Sequence, residues 1–175
     1  MTIEVREARP DDYEEAGRVT AEAYREFAEP DRSDQSGWSA YLARIADIGE
    51  RASRTTILVA LEDDRFLGSL TLELEGRVSD WDDDPPLRPG EAHIRMLGVD
   101  PAARARGVGA SLMREAQARA RAAGKTYLTL NTTERMVAAQ RMYASLGYER
   151  GPDHVFPDGF ILLGYRKKLD ATASS

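Results

Sequence analysis

The sequence predicts a single domain that mixes α-helices and β-strands, the α/β (α+β) class. Apolar residues recur at helical spacing in some segments and alternate in others, and two strand-like segments in the middle of the chain are close enough for a hairpin. The 175 residues are the size of one domain. We expect residues 1–169 to form that domain and residues 170–175 to be a disordered tail.

The first strand and the first helix follow from the N-terminal sequence. Ile3 and Val5 alternate with polar residues, as in a short strand. The Pro and Asp residues of Arg9–Asp12 then favour a helix start, and apolar residues at helical spacing predict a helix over Tyr13–Phe27.

A second helix and a pair of strands complete the first half of the chain. Polar residues with Pro and Gly predict a loop over Glu29–Gly37, and the following apolar spacing predicts a helix from Trp38 to about Gly49. Strands are predicted over Thr55–Leu61 and Phe66–Glu75, and the four residues Glu62–Arg65 between them suit a hairpin.

The second half alternates strands and helices. A breaker-rich connection, Ser79–Gly90, leads to a strand that begins at Glu91. The later predictions are a helix over Gly109–Ala123 that stops at Gly124, a strand over Tyr127–Leu130, a helix over Val137–Leu146 with Gly147 as its C′ residue, a strand at Tyr148–Arg150 and a strand over Phe160–Tyr165.

Composition excludes several classes of function. Without cysteine the chain has no disulfide, no thiolate metal site and no cysteine nucleophile, and two histidines are too few to suggest zinc. A net charge of −6 without a basic tract argues against nucleic acid as a partner. No apolar run approaches the ~20 residues of a membrane helix and no signal peptide is recognisable, so we expect no membrane contact and a cytoplasmic protein.

One acidic cluster bears on possible partners. The run DWDDD at Asp80–Asp84 would attract cationic small molecules or basic peptides, although a solvated loop explains it better.

The most informative segment is Glu91–Ala110, EAHIRMLGVDPAARARGVGA, in which a strand ends at Asp100-Pro101 and an Arg- and Gly-rich turn opens a helix. Gly107 and Gly109 let a ligand approach the backbone, and the first N–H groups of the helix have no intrahelical acceptor. Together with the positive end of the helix dipole, these donors make an anion site. Arg104 and Arg106 add guanidinium groups suited to phosphate oxygens.

Two other glycine motifs do not fit. A dinucleotide fingerprint would need a third glycine where Leu112 stands, and a kinase-type phosphate loop would need glycine in place of Arg119. A tight turn without a ligand remains an alternative, but the paired arginines at a helix start favour an anion.

Two motifs carry a family resemblance. R-A-R-G-V-G-A at Arg104–Ala110, after the strand IRMLGVDP, resembles the Arg/Gln-x-x-Gly-x-Gly/Ala signature of the GCN5-related N-acetyltransferases (GNAT). A-A-Q-R-M-Y-A-S-L-G-Y-E-R at Ala138–Arg150 resembles the later helix and strand of that superfamily. Over residues 3–169 the resemblance implies a central mixed, mostly antiparallel, splayed sheet of about seven strands flanked by about four helices.

The resemblance also implies acetyl-CoA as co-substrate, an amine as acceptor and no metal. It is compatible with a homodimer. The implied cofactor-binding residues are Leu97, Gly98 and Val99 on the strand, Arg104, Ala105, Arg106, Gly107, Val108, Gly109 and Ala110 in the turn, and Asn131, Ala139 and Tyr143 further along. Asn131 is included because Met136 stands where many relatives have an asparagine that contacts the pantetheine arm.

Four residues are candidates for catalysis. The resemblance implies that the Leu97 amide stabilises the oxyanion and that the Tyr143 hydroxyl gives a proton to the leaving thiolate, although Tyr143 could also be a core residue. Many relatives have a glutamate at the position of His93, and Glu91 lies two residues earlier on the same strand face. The base is therefore His93, Glu91 acting through water, or solvent.

The acceptor is predicted from two loops that the resemblance places beside it, 29–38 and 151–159. Their carboxylates (Glu29, Asp31, Asp34, Asp153 and Asp158) and aromatic rings (Trp38 and Phe156) favour a small cationic amine. The alternatives are a CoA-binding regulatory module without turnover, another acyl-CoA donor, or a protein amine as acceptor.

Overall fold

A computed structural model describes residues 2–27, 35–75 and 86–170. Their strands are β1 (Glu4–Glu7), β2 (Thr56–Glu62), β3 (Arg65–Glu73), β4 (Glu91–Val99), β5 (Tyr127–Thr132), β6 (Glu149–Arg150), β7 (His154–Val155) and β8 (Ile161–Lys168). The α-helices are α1 (Tyr13–Tyr24), α2 (Gln35–Ala46), α3 (Ile48–Ala52), α4 (Val108–Ala122) and α5 (Val137–Ser145). Short 3₁₀ turns occupy Pro10–Asp12, Arg25–Phe27 and Pro101–Ala103.

The strands follow the order β1-β2-β3-β4-β5-β8-β6, and β7 pairs with β8. The pairs β1–β2, β2–β3, β5–β8, β6–β8 and β7–β8 are antiparallel, whereas β4 and β5 are parallel. The predicted fold class, a mixed and mostly antiparallel sheet with flanking helices, is therefore confirmed. Eight strands and five α-helices are found in the described residues, one more of each than predicted.

The chain divides into two compact units. The first comprises residues 1–72 and 96–115, and the second comprises residues 73–95 and 116–175. Both β4 and α4 contribute residues to each unit. The assignment of residues 1–169 to one domain stays a prediction.

Apolar packing and buried polar contacts hold the first unit together. One cluster joins Ala16 of α1 and Ile48 of α3 to Val59 of β2. The hydroxyls of Thr20 and Ser69 lie 2.5 Å apart in the interior. Arg51 is buried as well and donates to Thr71 and to three carbonyl oxygens near the end of α2, so its charge is satisfied by polar groups.

The second unit is built on the β5–β8 pair. Leu128 and Leu130 of β5 are buried, and Leu130 lies opposite Tyr165 in the antiparallel register. Ala116 and Ala120 of α4 are fully buried, so this side of the helix faces inward, whereas Ala123 is exposed. The Gly147 φ of 87° and the bond from Tyr148 N–H to the Tyr143 carbonyl confirm Gly147 as the C′ residue of α5.

The predicted second helix was wrong in two respects. It begins at Gln35, inside the predicted loop, instead of at Trp38. It is also two helices, because Asp47 ends α2 and its carboxylate accepts the Glu50 N–H as the N-cap of α3. Gly49 consequently lies inside α3 instead of ending a helix. The spacing Asp47-x-x-Glu50 is an N-terminal signal that the apolar periodicity concealed.

Two turns also differ from their prediction. The hairpin between β2 and β3 has only Asp63 and Asp64 at its tip, both at positive φ, the conformation that matches the twist of a two-residue hairpin. The segment predicted as a loop before the last strand contains β7. The prediction for residues 29–34, the acidic run 80–84 and the tail residues 171–175 lies outside the described residues.

A buried ion pair joins the first strand to the start of α1. Arg6 donates to both carboxylate oxygens of Asp12, at 2.6 and 3.1 Å, and the Arg9 N–H donates to the same carboxylate at 2.6 Å. The hydrogen bond from Arg6 holds the pKa of Asp12 below its usual value of 3.8.

We expect Asp12→Asn to lower the free energy of unfolding at pH 7 by about 1–3 kcal/mol, because the amide is uncharged and has one acceptor oxygen, so Arg6 loses its counter-charge and one of its two hydrogen bonds. The lowered pKa of Asp12 stabilises the native state above the unfolded pKa, so wild type loses this contribution as pH falls below about 4 and the variant does not. Urea unfolding at pH 7 and at about pH 3 measures both effects.

Glu15→Gln is the matched control, since Glu15 pairs with Arg18 on an exposed helix face and should change stability by less than about 1 kcal/mol. Equal effects of the two variants would contradict the importance of the Arg6–Asp12 pair.

Candidate functional site

The connection from β4 to α4 is held by Asp100. Its carboxylate accepts the Ala102 N–H at 3.0 Å and a hydrogen bond from Arg65 at 2.8 Å, while its own N–H donates to the Leu67 carbonyl. Pro101 follows at the first position of a 3₁₀ turn. These contacts fix the direction in which the chain leaves the sheet and enters the glycine-rich turn.

The backbone of that turn leads into α4, whose first N–H groups lack helical hydrogen-bond acceptors. Ala105 and Gly107 have positive φ values of 61° and 82°, and a Cβ atom added at Gly107 would meet nothing within 4 Å. The first helical hydrogen bond runs from the Ser111 N–H to the Gly107 carbonyl. The N–H groups of residues 108–110 therefore lack a helical acceptor at the positive end of α4.

Both arginines of the turn have carboxylate partners. Arg104 pairs with Glu26, donates to the Ala23 carbonyl at 3.3 Å and lies 5.9 Å from the Phe27 ring centre. Arg106 donates to the buried carboxylate of Glu62 at 2.5 Å. The two guanidinium groups thus anchor the turn.

The strand before the turn changes its pairing midway. The parallel ladder with β5 covers Glu91–Ile94 and ends there. Met96 then has a φ of 52°, a left-handed conformation that a methionine rarely adopts. At the end of the strand Gly98 approaches β3 so closely that a Cβ at Gly68 would lie 2.5 Å from the Gly98 carbonyl oxygen.

Glu91 and His93 are joined by a residue that was not a candidate from sequence. The Thr129 hydroxyl donates to Glu91 Oε1 at 2.6 Å and lies 2.7 Å from His93 Nδ1. The Arg88 N–H donates to the other oxygen, Glu91 Oε2, at 2.9 Å. His93 and Thr129 are register partners across the β4–β5 ladder.

Tyr143 lies in an aromatic cluster on the inner face of α5. Its ring centre is 6.0 Å from that of Tyr148 and 5.6 Å from that of Tyr165, and the side chain is 5% exposed. Burial, followed by the neighbouring Tyr148 and Tyr165, raises the pKa of Tyr143 well above its usual value. Burial also raises the pKa of Tyr148 to about 12, although a hydrogen bond from Gln117 opposes the shift.

The Tyr143 hydroxyl makes no hydrogen bond within the described residues. The same residues contain no fully buried side-chain nitrogen or oxygen without a partner. The hydroxyl oxygen must therefore keep some contact with solvent, although the ring is buried. The Tyr143 phenol therefore retains its proton, and its oxygen is accessible to solvent.

Two further predicted residues, and the Met136 that stands in place of the asparagine of many relatives, lie near this cluster in the chain. Asn131 is exposed on β5, and Ala139 is half-buried on α5. Met136 is the N-cap residue of α5, and the Thr132 hydroxyl donates to its sulfur at 3.4 Å.

The predicted acceptor loops are described only in part. Asp153 accepts hydrogen bonds from Arg150 at 2.6 Å and from the Gly164 N–H at 3.0 Å. Asp158 accepts the Phe160 N–H at 3.0 Å. These two carboxylates stabilise their own hairpin, so they give little support for a cationic acceptor. Glu29, Asp31 and Asp34 lie outside the described residues.

The strand, the arginine-rich turn and the helix lie within the part of the chain that matches a known protein family. The family model described as Acetyltransferase (GNAT) family matches residues 13–148. This chain belongs to the GNAT acetyltransferase family. No curated protein matches it significantly.

Solved structures share the fold of this GNAT protein. One is yncA from Salmonella typhimurium with its cofactor acetyl-CoA, at 19% identity and a TM-score of 0.68, covering 100% of this chain and 98% of the other. Another is the PaiA N-acetyltransferase from Thermoplasma acidophilum with coenzyme A. It shows 16% identity and a TM-score of 0.70, and the match covers 96% of this chain and 99% of the other. The ribosomal-protein-S18-alanine N-acetyltransferase from Escherichia coli shows 13% identity and a TM-score of 0.64, and the match covers 99% of this chain and 97% of the other.

Sequence reasoning about this GNAT protein missed two residues of the candidate site, Thr129 and Glu62. Thr129 could have been found, because Tyr127, Thr129 and Asn131 alternate with the buried residues of β5 and so share the face opposite the core. Glu62 had no local signal, since its partner Arg106 is 44 residues away in the chain.

Residues 2–27, 35–75 and 86–170 of the GNAT protein contain no helix long and apolar enough to cross a membrane. The same residues contain no group of three or more His, Asp or Glu side chains arranged around a metal position.

We expect the free energy of unfolding to fall as pH rises from about 10 to about 12, because unfolded tyrosines ionise near pH 10 whereas native Tyr143 and Tyr148 keep their protons. Tyr143→Phe should reduce this slope by up to about 1.4 kcal/mol per pH unit. Urea unfolding between pH 9 and 11, with tyrosinate absorbance followed in parallel, measures the effect. Equal slopes for the variant and wild type would mean that Tyr143 ionises in the native state.

Proposed function

We propose that this GNAT protein is an acetyl-CoA-dependent N-acetyltransferase that moves an acetyl group to a primary amine by direct transfer in a ternary complex. The observation that carries the proposal is the turn Arg104–Ala110, whose main-chain N–H groups remain available at the start of α4. A covalent cysteine intermediate is ruled out because the chain has no cysteine.

The turn fits the pyrophosphate of coenzyme A. The N–H groups of residues 108–110 lack a helical acceptor, and the space beside Gly107 that a Cβ would enter is open. Arg106 is 38% exposed, so its guanidinium can meet solvent or phosphate while it remains bonded to Glu62. Two structures of the same fold contain acetyl-CoA or coenzyme A, which supports this assignment.

The end of β4 supplies main-chain groups for the rest of the molecule. The β5 ladder stops at Ile94, and the reversed φ at Met96 separates Leu97, Gly98 and Val99 from the regular pairing before it. We assign these three residues to the pantetheine arm. The Leu97 N–H is the proposed oxyanion donor, a kind of contact worth about 3–4 kcal/mol in acyl transfer.

Tyr143 is the proposed acid. Acetyl-CoA would supply the acetyl group as a thioester whose thiolate must be protonated or stabilised as it leaves. The raised pKa keeps the Tyr143 phenol protonated throughout the physiological range, and its hydroxyl has no competing acceptor in the described residues. Either Glu91 or His93 is assigned to accept the proton of the amine.

The acceptor is proposed to be the primary amine of a small cationic molecule. Trp38 packs against Tyr41 with ring centres 5.7 Å apart, and such aromatic surfaces suit a cation. A protein amine is the second candidate, because one structure of similar fold acetylates a ribosomal protein.

Incubation with acetyl-CoA and a panel of amines, with free thiol measured, tests the proposal. The panel should contain polyamines, aminoglycosides, amino acids and N-terminal peptides. Thiol release that depends on an amine supports the proposed function and ranks the acceptors. Tight coenzyme A binding without thiol release from any amine would instead indicate a regulatory module.

We expect Tyr143→Phe to lower kcat by about 100-fold or more, since a general acid contributes at least that much, while the KM for acetyl-CoA stays nearly unchanged. Tyr148→Phe is the matched control, because it removes a hydroxyl from the same cluster that is bonded to Gln117. Steady-state kinetics of both variants give the answer. Unchanged turnover in Tyr143→Phe would remove this residue as the acid.

We expect Gly109→Val to raise the Kd for coenzyme A at least tenfold, or about 1.4 kcal/mol, because the side chain would stand among the proposed phosphate donors. Gly109→Ala should give a smaller loss of affinity even though alanine favours the helix. Isothermal titration calorimetry measures both. An unaltered Kd in the valine variant would place the pyrophosphate elsewhere.

A further inference from the structure

The second unit contains a hydrogen-bonded chain whose direction can be deduced. Both oxygens of Glu91 accept hydrogen bonds, one from the Arg88 N–H and one from the Thr129 hydroxyl. A threonine hydroxyl has a single proton, and here Glu91 receives it. The oxygen of Thr129 can therefore only accept from His93 Nδ1, which lies 2.7 Å away.

This direction fixes the neutral form of His93. Nδ1 must carry the hydrogen, so Nε2 carries the lone pair. Free histidine in water prefers the opposite tautomer, with hydrogen on Nε2. The strand register supplies the constraint, because His93 lies directly across the β4–β5 ladder from Thr129 and Glu91 lies two residues earlier on the same face.

We propose that Thr129 is a positioning residue that holds His93 as its Nδ1–H tautomer, so that Nε2 accepts the proton of the acceptor ammonium. The inference rests on the proposed acetyl transfer for its chemistry. In the step itself the N–H bond of the ammonium breaks, Nε2 gains the proton and the neutral amine keeps the electron pair. The Glu91 carboxylate, joined through Thr129, stabilises the imidazolium until the proton passes to water.

The two sequence candidates for the base thereby acquire different roles. His93 is the group that accepts the proton, and Glu91 acts through Thr129 to orient and stabilise it. Thr129 itself does not exchange a proton with the substrate. Its importance is that its hydroxyl contacts both Nδ1 and Glu91, so removing the hydroxyl breaks the connection between them.

The tautomer can be read without any substrate. Long-range ¹H–¹⁵N correlation spectra at about pH 8, where imidazoles are neutral, distinguish the two nitrogens. The chain has only two histidines, and exposed His154 is the internal reference. We expect His93 to carry Nδ1–H in wild type and in Thr129→Ser, and to shift toward Nε2–H in Thr129→Val.

Glu91→Gln gives a second and independent reading. The side-chain carbonyl of the glutamine should still accept the hydrogen bond from the Arg88 N–H. Its NH2 group then faces Thr129 and donates to the threonine oxygen. The threonine hydroxyl is then free to donate to Nδ1, so the variant should favour Nε2–H with the Thr129 hydroxyl still present. This variant keeps the test decisive if Thr129→Val does not fold.

Kinetics connects the tautomer to catalysis. Thr129→Val should lower kcat by about 10-fold or more with an unchanged KM for acetyl-CoA, whereas Thr129→Ser should stay within about threefold of wild type.

Nε2–H in wild-type His93 would overturn the proposal whatever the turnover. The expected tautomer shift without a change in kcat would overturn the role of His93 as base. Thiol release absent from wild type would overturn the proposed function, while the spectra would still decide whether Thr129 orients His93.

Discussion

The pairing of β4 is the constraint on which the candidate site depends. Its ladder with β5 ends at Ile94, and the φ of 52° at Met96 reverses the local backbone. A left-handed non-glycine residue costs about 1–2 kcal/mol, so surrounding contacts must hold it. Met96 is buried against Ala21 and Ile45, which supplies that support. The β5 ladder therefore does not include Leu97–Val99, the residues that are proposed to meet the pantetheine arm.

The acidic character of the chain is reconciled with an anion site by the way the turn is built. Arg104 and Arg106 are held by Glu26 and Glu62, so each guanidinium is compensated where it stands. In the proposed site, the N–H groups at the start of α4 add partial positive charge that does not change with pH. A net charge of −6 is therefore compatible with phosphate binding, because the local donors decide it.

The sequence predicted the features that depend on local pattern. The glycine-rich turn, the α4 helix and the Gly147 cap were predicted because each depends on residues that are close together in the sequence. The split at Asp47 was missed because Ile45 and Ile48 keep helical spacing across the break. Thr129 and Glu62 were missed for a different reason: their roles arise from strand register and from a contact across 44 residues, which no single segment encodes.

The two residues of the second unit that are proposed to transfer protons have different surroundings. Burial among tyrosines raises the pKa of Tyr143, so the phenol stays protonated as a donor for the proposed leaving thiolate. An anion that forms beside it is desolvated in turn, so the donor gains in strength as the charge appears. His93 instead is joined to the Glu91 carboxylate by two hydrogen bonds through Thr129, the arrangement that the proposed base requires. The two proposed roles therefore rest on different surroundings: an aromatic cluster encloses the donor, and a hydrogen-bonded carboxylate stands behind the acceptor.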